Sequence, residues 1–296
     1  MIKPKLFVFL LAVSLMLSLS SSVKSQDLLS KPILIWYGKL YGFEGASLKQ
    51  LSTLKISKEE KDFARLNYYW QELLCLGSNE LALKELNRLT NLYHLEEDLF
   101  EKVTPMQIFM AATSRAFQAR AFALKSGKIN GAIAYMQATN YLRPLRQLQE
   151  AYPEIKLLVH LYDAGINQLN TNLLYSATLW VLPPAENAKA LEDLAVLKDN
   201  SNVFVSAQAH YFRYKIINAF AENGDYAKED LNELMKIYPK NPILWLENYK
   251  LSNKHDKIYE QELWAQINTH SALSVAAKKH LTSVLNEISA KTGEKE

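Results

Sequence analysis

The chain has 296 residues with 34 basic and 31 acidic side chains, a formal net charge of +3 at pH 7. Three lysines and no acids lie in the first 25 residues, so the rest of the chain is electrically neutral. Neutrality argues against general nucleic-acid binding, which depends on neutralising many phosphates. The single cysteine excludes an internal disulfide, so a hydrophobic core must hold the fold.

The first 25 residues follow the order of a secretory signal peptide. Two lysines precede an apolar run at 6–17, and a small, serine-rich tail follows. Val23 and Ser25 fit the small positions before a cleavage site, which predicts a mature chain that begins at Gln26. The apolar run has about 12 residues, fewer than the roughly 20 needed to span a bilayer, which favours cleavage over an uncleaved anchor. We therefore expect a periplasmic or secreted protein.

The segment at 26–56 is predicted to form an N-terminal cap on the domain that follows. Its central part, ILIWYGKLYGF at 33–43, has the clearest strand signals in the chain and could form a hairpin. Periodicity alone does not separate strands from helices in such short apolar runs. Because strand signals are nearly absent elsewhere, we favour an irregular or helical cap.

Helical signals continue from Ser57 to the end of a domain predicted at 57–291, before a flexible tail at 292–296. Ser57 is a good N-cap because acidic residues follow it in the first turn, and apolar residues then recur at three- and four-residue steps. Glycine and proline separate the helical stretches. The predicted helices lie at 58–76, 81–93, 105–125, 130–149, 155–169, 173–182, 188–197, 205–220 and 226–238, then from 242, around 263–267 and at 277–288.

This succession of helices with short connections predicts an all-α fold. About twelve antiparallel helices are expected, and glycine and proline, nine of each, fall mainly between them. Such a pattern is typical of an α-solenoid of antiparallel helix hairpins rather than of a bundle with one centre.

Several helix pairs share a turn glycine and a small residue after it. Gly77 is followed five residues later by Ala82, and Gly127 by Ala132. Two units end in an aromatic residue and a proline, in the sequences EAYPE and KIYPKNP. Small residues let two helix backbones approach, and proline stops the second helix so that the next pair can stack. This pattern resembles the tetratricopeptide repeat, and GDYAKEDLNELMKIYPKNP at 224–242 is the best single match.

The resemblance covers about 58–153 and 203–270 as degenerate repeats. No unit carries the full set of Trp, Leu, Gly and Tyr, and the third unit has Glu229 in place of the crossing alanine. Pro144 falls inside a second helix at 130–149 that the sequence pattern extends past its expected end. The family implies stacked helix pairs around a concave groove that binds an extended segment of a partner protein.

The stretch 102–149 is predicted to be a two-helix hairpin with its first helix at Pro105–Lys125. It holds seven basic residues and no acid. Its many alanines predict a closely packed first helix, in which Arg115 and Arg120 need acceptors. One interpretation pairs these arginines with the acids at 96–98 or with helix C-terminal carbonyls. The other makes the stretch a basic groove wall for an acidic peptide, or for an anionic glycan or lipid head group. The residues predicted to bind a partner are Arg115, Arg120, Lys125, Lys128, Arg143 and Arg146.

The sequence offers no catalytic, cofactor or metal signature. The G-x-S-x-G, P-loop and dinucleotide motifs are absent, and no two histidines stand three or four residues apart. His160 and Asp163, one helical turn apart, are predicted to be a helix-surface or capping pair. Cys75 ends an apolar helix face and is predicted to be buried and inert. Most of the abundant tyrosines and tryptophans are predicted to lie in the core.

Three function classes follow from these observations. We expect first a non-catalytic exported scaffold that binds another envelope protein or an acidic peptide through the concave groove. The alternative is an exported binding module for glycans or anionic small molecules, because helical-repeat proteins that this chain resembles take part in envelope glycan uptake. A helical glycan-cleaving enzyme is a weaker third reading, since carboxylates can be brought together by a fold without a sequence motif.

Overall fold

A computed structural model describes residues 26–77, 79–96, 99–100, 102–125, 128–171, 182–220, 225–252 and 257–293. The predicted signal peptide and nearly all of the predicted helix at 173–182 lie outside these residues. So do Gly127, Gly224 and the end of the predicted tail, 294–296. The side chains of Lys128 and Ala132 are also outside the description.

Within these ranges the fold is all-α, as predicted, with fourteen helices and no strand. No helix of the described chain is both long and apolar enough to cross a membrane. The helices are α1 (Lys31–Tyr41), α2 (Leu48–Thr53), α3 (Lys58–Leu76), α4 (Glu80–Leu92), α5 (Pro105–Lys125), α6 (Lys128–Thr139), α7 (Leu142–Leu148), α8 (Pro153–Asn170), α9 (Ala190–Leu197), α10 (Val203–Phe220), α11 (Asp225–Ile237), α12 (Pro242–Leu251), α13 (Lys257–Thr269) and α14 (Val275–Gly293).

Local capping interactions set several helix boundaries. Ser57 and Glu60 form a reciprocal capping box at the start of α3, with side chain to backbone distances of 3.1 and 3.0 Å. The side-chain oxygen of Asn79 accepts a backbone N–H at the start of α4. Asn241 caps α12, and Pro242 occupies the first helical turn, where its missing N–H costs nothing. The predicted starts at Ser57 and Pro242 are confirmed.

The segment at 33–43 is helical, not a strand hairpin. Helix α1 buries one face, whose residues recur at three- and four-residue spacing, and packs against α3 and α10. Tyr37 contacts the ring of Phe63 in α3 and that of Phe204 in α10, with ring centres 6.5 and 5.2 Å away. Helix α1 therefore lies within the main hydrophobic core, between two helices that are far apart in sequence.

Neighbouring helices pair along the chain, and the last helix returns to the first long one. Helix α3 packs against α4, α5 against α6, α10 against α11, and α13 against α14, while α8 contacts α7, α9 and α10. Helix α14 also contacts α3. At this contact Gly77 has φ +68°, and a Cβ there would lie 2.3 Å from the ring of His280. The positive φ favours glycine at this position, and a larger residue would also displace the His280 ring.

The stretch 102–149 forms three helices, so the predicted two-helix hairpin is wrong in its second half. Helix α5 matches the prediction at Pro105–Lys125, but the chain turns between α6 and α7 at Tyr141. Tyr141 is buried, and its hydroxyl lies 3.3 Å from the backbone nitrogen of Leu95. Pro144 then falls in the first turn of α7, where its N–H would have no acceptor in the helix. The buried side chain of Tyr141 thus fixes the turn after α6, and Pro144 is compatible with the start of α7.

Helices α5 and α6 approach closely at a glycine. A Cβ on Gly131 would lie 3.0 Å from the carbonyl oxygen of Ala119 and 3.0 Å from the Cβ of Ala123. Small residues at a helix crossing therefore have the role that the sequence predicted. The residue at this crossing is Gly131, one position before the predicted Ala132, whose side chain lies outside the description. In the preceding unit, the predicted crossing residue Ala82 is fully buried.

Candidate ligand cavity

Helices α5, α6, α7, α8 and α10 line a cavity of about 580 Å³. Most of its lining is alanine, leucine and aromatic side chains. On α5 and α6 the small residues Ala116, Ala123 and Ala138 face this space, which bulkier side chains would fill. The volume and the apolar lining match those of protein pockets that hold small organic ligands.

Gly165 leaves part of this volume empty. It lies in the interior of α8, where glycine is roughly 1 kcal/mol less favourable than alanine. A Cβ at Gly165 would contact no atom within 4 Å, and the residue lines the cavity. In the described chain no close contact explains this glycine, in contrast to Gly131. Its effect is to keep the cavity open at a cost in helix stability.

Arg120 is the single charged residue among the described residues that line the cavity. Its guanidinium carbon lies 4.2 Å from the ring centre of Trp70 in α3 and 5.0 Å from that of Phe212 in α10. Aromatic rings attract a cation to their faces. Phe117 of α5 lies 5.9 Å away, so three helices meet at this guanidinium group and each contributes an aromatic ring.

The edge of the Arg120 guanidinium has no acceptor in the described chain. A guanidinium carries five N–H donors in its plane, which ring faces do not satisfy. The titratable side chains that interact with Arg120 are Tyr211, Tyr41 and Tyr37, and no carboxylate is among them. Desolvation lowers the pKa of Arg120, and these tyrosines offset part of that effect.

A second, smaller cavity of about 50 Å³ shares Phe117, Arg120 and Gln208 with the apolar one. Its lining includes the side chains of Tyr41 and Tyr211. Burial raises the pKa of both tyrosines above the ordinary value of 10.0, so their hydroxyls stay protonated and can donate hydrogen bonds. A space of this volume, which includes several polar side chains in its lining, has room for a few water molecules.

The two cavities together form a site in which an apolar region adjoins a cation, Arg120, that can bind an anion. Arg120 is partly exposed, and its cation–π contacts offset part of the cost of its partial desolvation. A negatively charged group that reached the edge of the guanidinium would supply the rest.

Comparison with known proteins adds no family assignment, because no family model, curated protein or solved structure matches this chain. The tetratricopeptide resemblance stays a prediction that depends on the repeat residues. The proposed function therefore depends on the geometry and chemistry of the two cavities.

Arg115 and Arg120 find partners other than those expected. In α5, Arg115 donates to the side-chain oxygens of Gln118 at 2.9 Å and Gln137 at 3.0 Å, and it lies 3.4 Å from His94 Nδ1. Neutral side chains thus take the place of the predicted acids at 96–98, of which 97 and 98 lie outside the description. The two arginines have different surroundings, since Arg115 is bound to amides and Arg120 is stacked between rings.

The other predicted partner-binding residues do not join Arg120 at one site. Arg146 is bound to Asp163 at 2.8 Å, to Glu186 at 2.5 Å and to the carbonyl oxygen of Pro184 at 3.1 Å. Lys125 and Arg143 are exposed, and the side chain of Lys128 is outside the description. The structure therefore separates the five described basic residues: Arg120 lines a cavity, Arg115 is bound to amides, Arg146 joins a polar network, and Lys125 and Arg143 are on the surface.

His160 and Asp163 are buried, so the prediction of a helix-surface pair is wrong for both residues. Asp163 accepts backbone hydrogen bonds from Glu186 and Asn187 at 3.4 and 3.2 Å, in addition to its ion pair with Arg146. Burial lowers the pKa of His160 below 6.5, which favours the neutral ring. This polar network fixes the chain that leads into α9 against α8.

Cys75 is buried, as predicted. Burial, followed by the charge of Glu72, raises its pKa to about 12, so the thiolate that reacts with electrophiles and metals is not formed near neutral pH. In the part of the chain that is described, no three His, Cys, Asp or Glu residues are placed to hold a metal ion. The described cavity lining likewise contains no histidine, cysteine or carboxylate.

Sequence reasoning missed the cavity and two residues that define it. Trp70 and Phe212 were expected to lie in the core with the other aromatic residues, and no spacing rule connects either of them to Arg120. Gly165 carried a usable signal, because an isolated glycine within a helical pattern often has a packing or functional reason. The alanines of α5 predicted close packing, whereas several of them line an open volume.

Proposed function

We propose that this protein is a non-catalytic binding module that takes up a small molecule with a substantial apolar part. The observation that carries the proposal is the cavity of about 580 Å³ and its apolar lining. Gly165 supports it, because a helix-interior glycine with free space above it preserves volume that an alanine or leucine would fill. This proposal corresponds to the alternative that the sequence predicted, a binding module for glycans or anionic small molecules.

We propose binding without catalysis because the described cavity lining contains no histidine, cysteine, lysine or carboxylate to act as a general acid, base or activated nucleophile. Its polar groups are hydroxyls, one amide and one guanidinium. Such a lining orients a ligand and satisfies its polar end, which is what a binding site requires.

For the architecture, we propose a curved array of antiparallel helix hairpins of the tetratricopeptide type. The successive pairs α3–α4, α5–α6, α10–α11 and α13–α14 support it. The contact of α14 with α3 suggests that the array curves until its ends meet, with α1 inside. The cavity would then be a gap between hairpins in the interior of the curve.

Two further expectations remain proposals. The signal-peptide pattern supports export to the periplasm or beyond, and N-terminal sequencing of the protein from an envelope fraction should find Gln26 first. A protein-binding surface is supported by Lys125 and Arg143, both exposed and both in a stretch without acids. These two residues, rather than Arg120 in the cavity lining, would carry such an interaction.

The binding proposal is tested with a neutral apolar dye whose fluorescence rises in an apolar environment, N-phenyl-1-naphthylamine. We expect saturable binding by the wild-type protein and by Gly165→Ala, which removes little volume. Gly165→Leu should lose the binding while it keeps its helical circular dichroism, because the larger side chain enters the cavity. Equal dye binding by folded Gly165→Leu and Gly165→Ala would contradict the proposal.

A further inference from the structure

We propose that the natural ligand is a singly charged amphiphile, such as a long-chain carboxylate, whose carboxylate binds Arg120 and whose hydrocarbon part occupies the apolar cavity. This inference rests on the proposed binding function and names the chemical class of the ligand. It concerns the same site, but it depends on the charge and geometry of Arg120 rather than on cavity volume.

The orientation of Arg120 leaves its recognition edge free. Trp70 and Phe212 lie against the guanidinium at 4.2 and 5.0 Å, as ring contacts to a cation. Hydrogen bonds from a guanidinium lie in its plane, where two parallel N–H groups match the two oxygens of a carboxylate. Stacking restricts the rotation of the side chain, so the fork is preorganised for a ligand that approaches through the cavity.

The charge balance selects a single negative charge. The described lining of both cavities contains one cation, Arg120, and no carboxylate. Glu247, which acts on neighbouring Tyr211, is already paired with Lys215 at 2.5 Å and Lys250 at 3.2 Å. A monoanion would neutralise Arg120, whereas a dianion would leave an excess negative charge in a buried site.

The small cavity completes the anionic end of the site. Tyr41 and Tyr211 line it and remain protonated, so both can donate hydrogen bonds towards an anion or its bridging water. The amide of Gln208 lies in the wall shared by both cavities and donates to the hydroxyl of Tyr37 at 2.6 Å. Hydroxyl, amide and guanidinium donors therefore lie near the boundary between the small and the large cavity. The head group of an amphiphile would lie at this boundary.

The apolar cavity fits the other end of such a ligand. Residues of α8, among them Leu157, Leu158 and Leu161, form a continuous hydrocarbon wall. Each methylene that leaves water for this wall should tighten binding about fourfold. Affinity should therefore increase with chain length until the cavity is filled, and the carboxylate should fix the direction of binding.

Isothermal titration calorimetry with three twelve-carbon probes tests the inference: dodecanoate, neutral dodecanol and cationic dodecyltrimethylammonium, each below its aggregation concentration. The purified wild-type protein should bind dodecanoate about tenfold or more tightly than dodecanol, because hydrogen bonds to a charged group are involved. Dodecyltrimethylammonium should bind most weakly. Arg120→Met should remove the preference for dodecanoate over dodecanol, and Arg120→Lys should restore part of it.

Arg115→Met is the matched control, since it removes the same charge from the same helix outside the cavity lining. It should keep the wild-type preference. Equal affinity of the wild-type protein for dodecanoate and dodecanol, or a preference that survives in folded Arg120→Met, would overturn the carboxylate assignment and leave the apolar binding function intact. If none of the three probes binds and N-phenyl-1-naphthylamine does not bind either, the proposed binding function itself fails.

Discussion

The guanidinium of Arg120 lies over the indole ring of Trp70, with its central carbon 4.2 Å from the ring centre. The contact joins α5 to α3, and Phe212 of α10 lies 5.0 Å away. It places a positive charge inside the fold, where neither described cavity supplies a carboxylate. An unpaired charge of this kind lowers stability in the absence of a ligand, and that cost can be measured.

Arg120→Met should stabilise the ligand-free protein by about 0.5–1 kcal/mol, because methionine fills the space between the rings and needs no counter-ion, although the guanidinium is only partly buried. Chemical denaturation of the purified variant and of the wild type gives the difference in unfolding free energy. Arg115→Met, at a position bound to neutral amides, should change stability little. A clear loss of stability in Arg120→Met would show that the cation–π contacts outweigh the desolvation of the charge.

The glycines of α6 and α8 should respond to alanine in opposite directions. Gly165→Ala should stabilise the protein by about 0.5–1 kcal/mol, since alanine is the better helix former and its Cβ meets no atom. Gly131→Ala should destabilise it, because the new methyl group would lie 3.0 Å from a backbone carbonyl of α5. Thermal melts of the two variants side by side test the pair. The same sign for both changes would contradict the assigned roles.

Asp230 should make stability depend on acid pH. It is fully buried, and burial raises its pKa, but hydrogen bonds from His210 and Lys198 and the charge of Arg213 more than offset this and lower the pKa below 3.8. On acidification the unfolded state therefore binds this proton first. The contribution to stability is complete above the ordinary value and is lost as the pH falls through the lowered one.

Asp230→Asn tests this assignment. The change should cost about 3 kcal/mol at pH 7, because it leaves Lys198 and Arg213 without their shared carboxylate. It should also flatten the acid limb of the stability curve between pH 5 and the lowest pH studied. Glu233→Gln is the control: the hydrogen bond from Lys236 lowers the pKa of this largely exposed carboxylate, so the change should alter the curve much less than Asp230→Asn. An unaltered acid limb in Asp230→Asn would exclude the assigned role.

Glu154 should hold the start of the described chain in place. Its buried carboxylate accepts hydrogen bonds from the backbone of Leu28 and Leu29, at 3.2 and 3.1 Å, and from Asn202 at 2.8 Å. Glu154→Ala should cost at least about 2 kcal/mol, since several donors lose their acceptor. Hydrogen exchange at Leu28 and Leu29 should accelerate as well. Glu150→Ala, at an exposed ion pair, should cost roughly 0–1 kcal/mol. Comparable losses for both variants would refute the assignment.

Lys125 and Arg143 should carry any interaction with an acidic protein partner. Both are exposed, so Lys125→Glu/Arg143→Glu should keep the fold and the affinity for dodecanoate while it weakens capture of such a partner. Crosslinking mass spectrometry of wild type and double variant in the native envelope measures the difference. Capture of the same partner at undiminished yield by the double variant would rule out this surface.

Much of the secondary structure could be predicted because its signals act over a few residues. The capping box at Ser57, the helix at Pro105–Lys125 and the start at Pro242 depend on hydrogen bonds and steric limits within one helical turn. The all-α class and the burial of Cys75 follow from periodic apolar residues in the same way. The turn at Tyr141 could not be predicted, since a contact with Leu95, 46 residues earlier, anchors it.

The sequence by itself thus determined an all-α protein, most of its helices and a stretch without acids. Only the tertiary structure decided which contacts the arginines of that stretch make, because the surroundings of a side chain depend on helices that are distant in sequence. Trp70, Arg120 and Phe212 meet from three helices, whereas Arg115, five residues from Arg120, is bound to amides. The cavity is likewise a volume left between helices, and no local rule of sequence specifies a space that side chains leave unfilled.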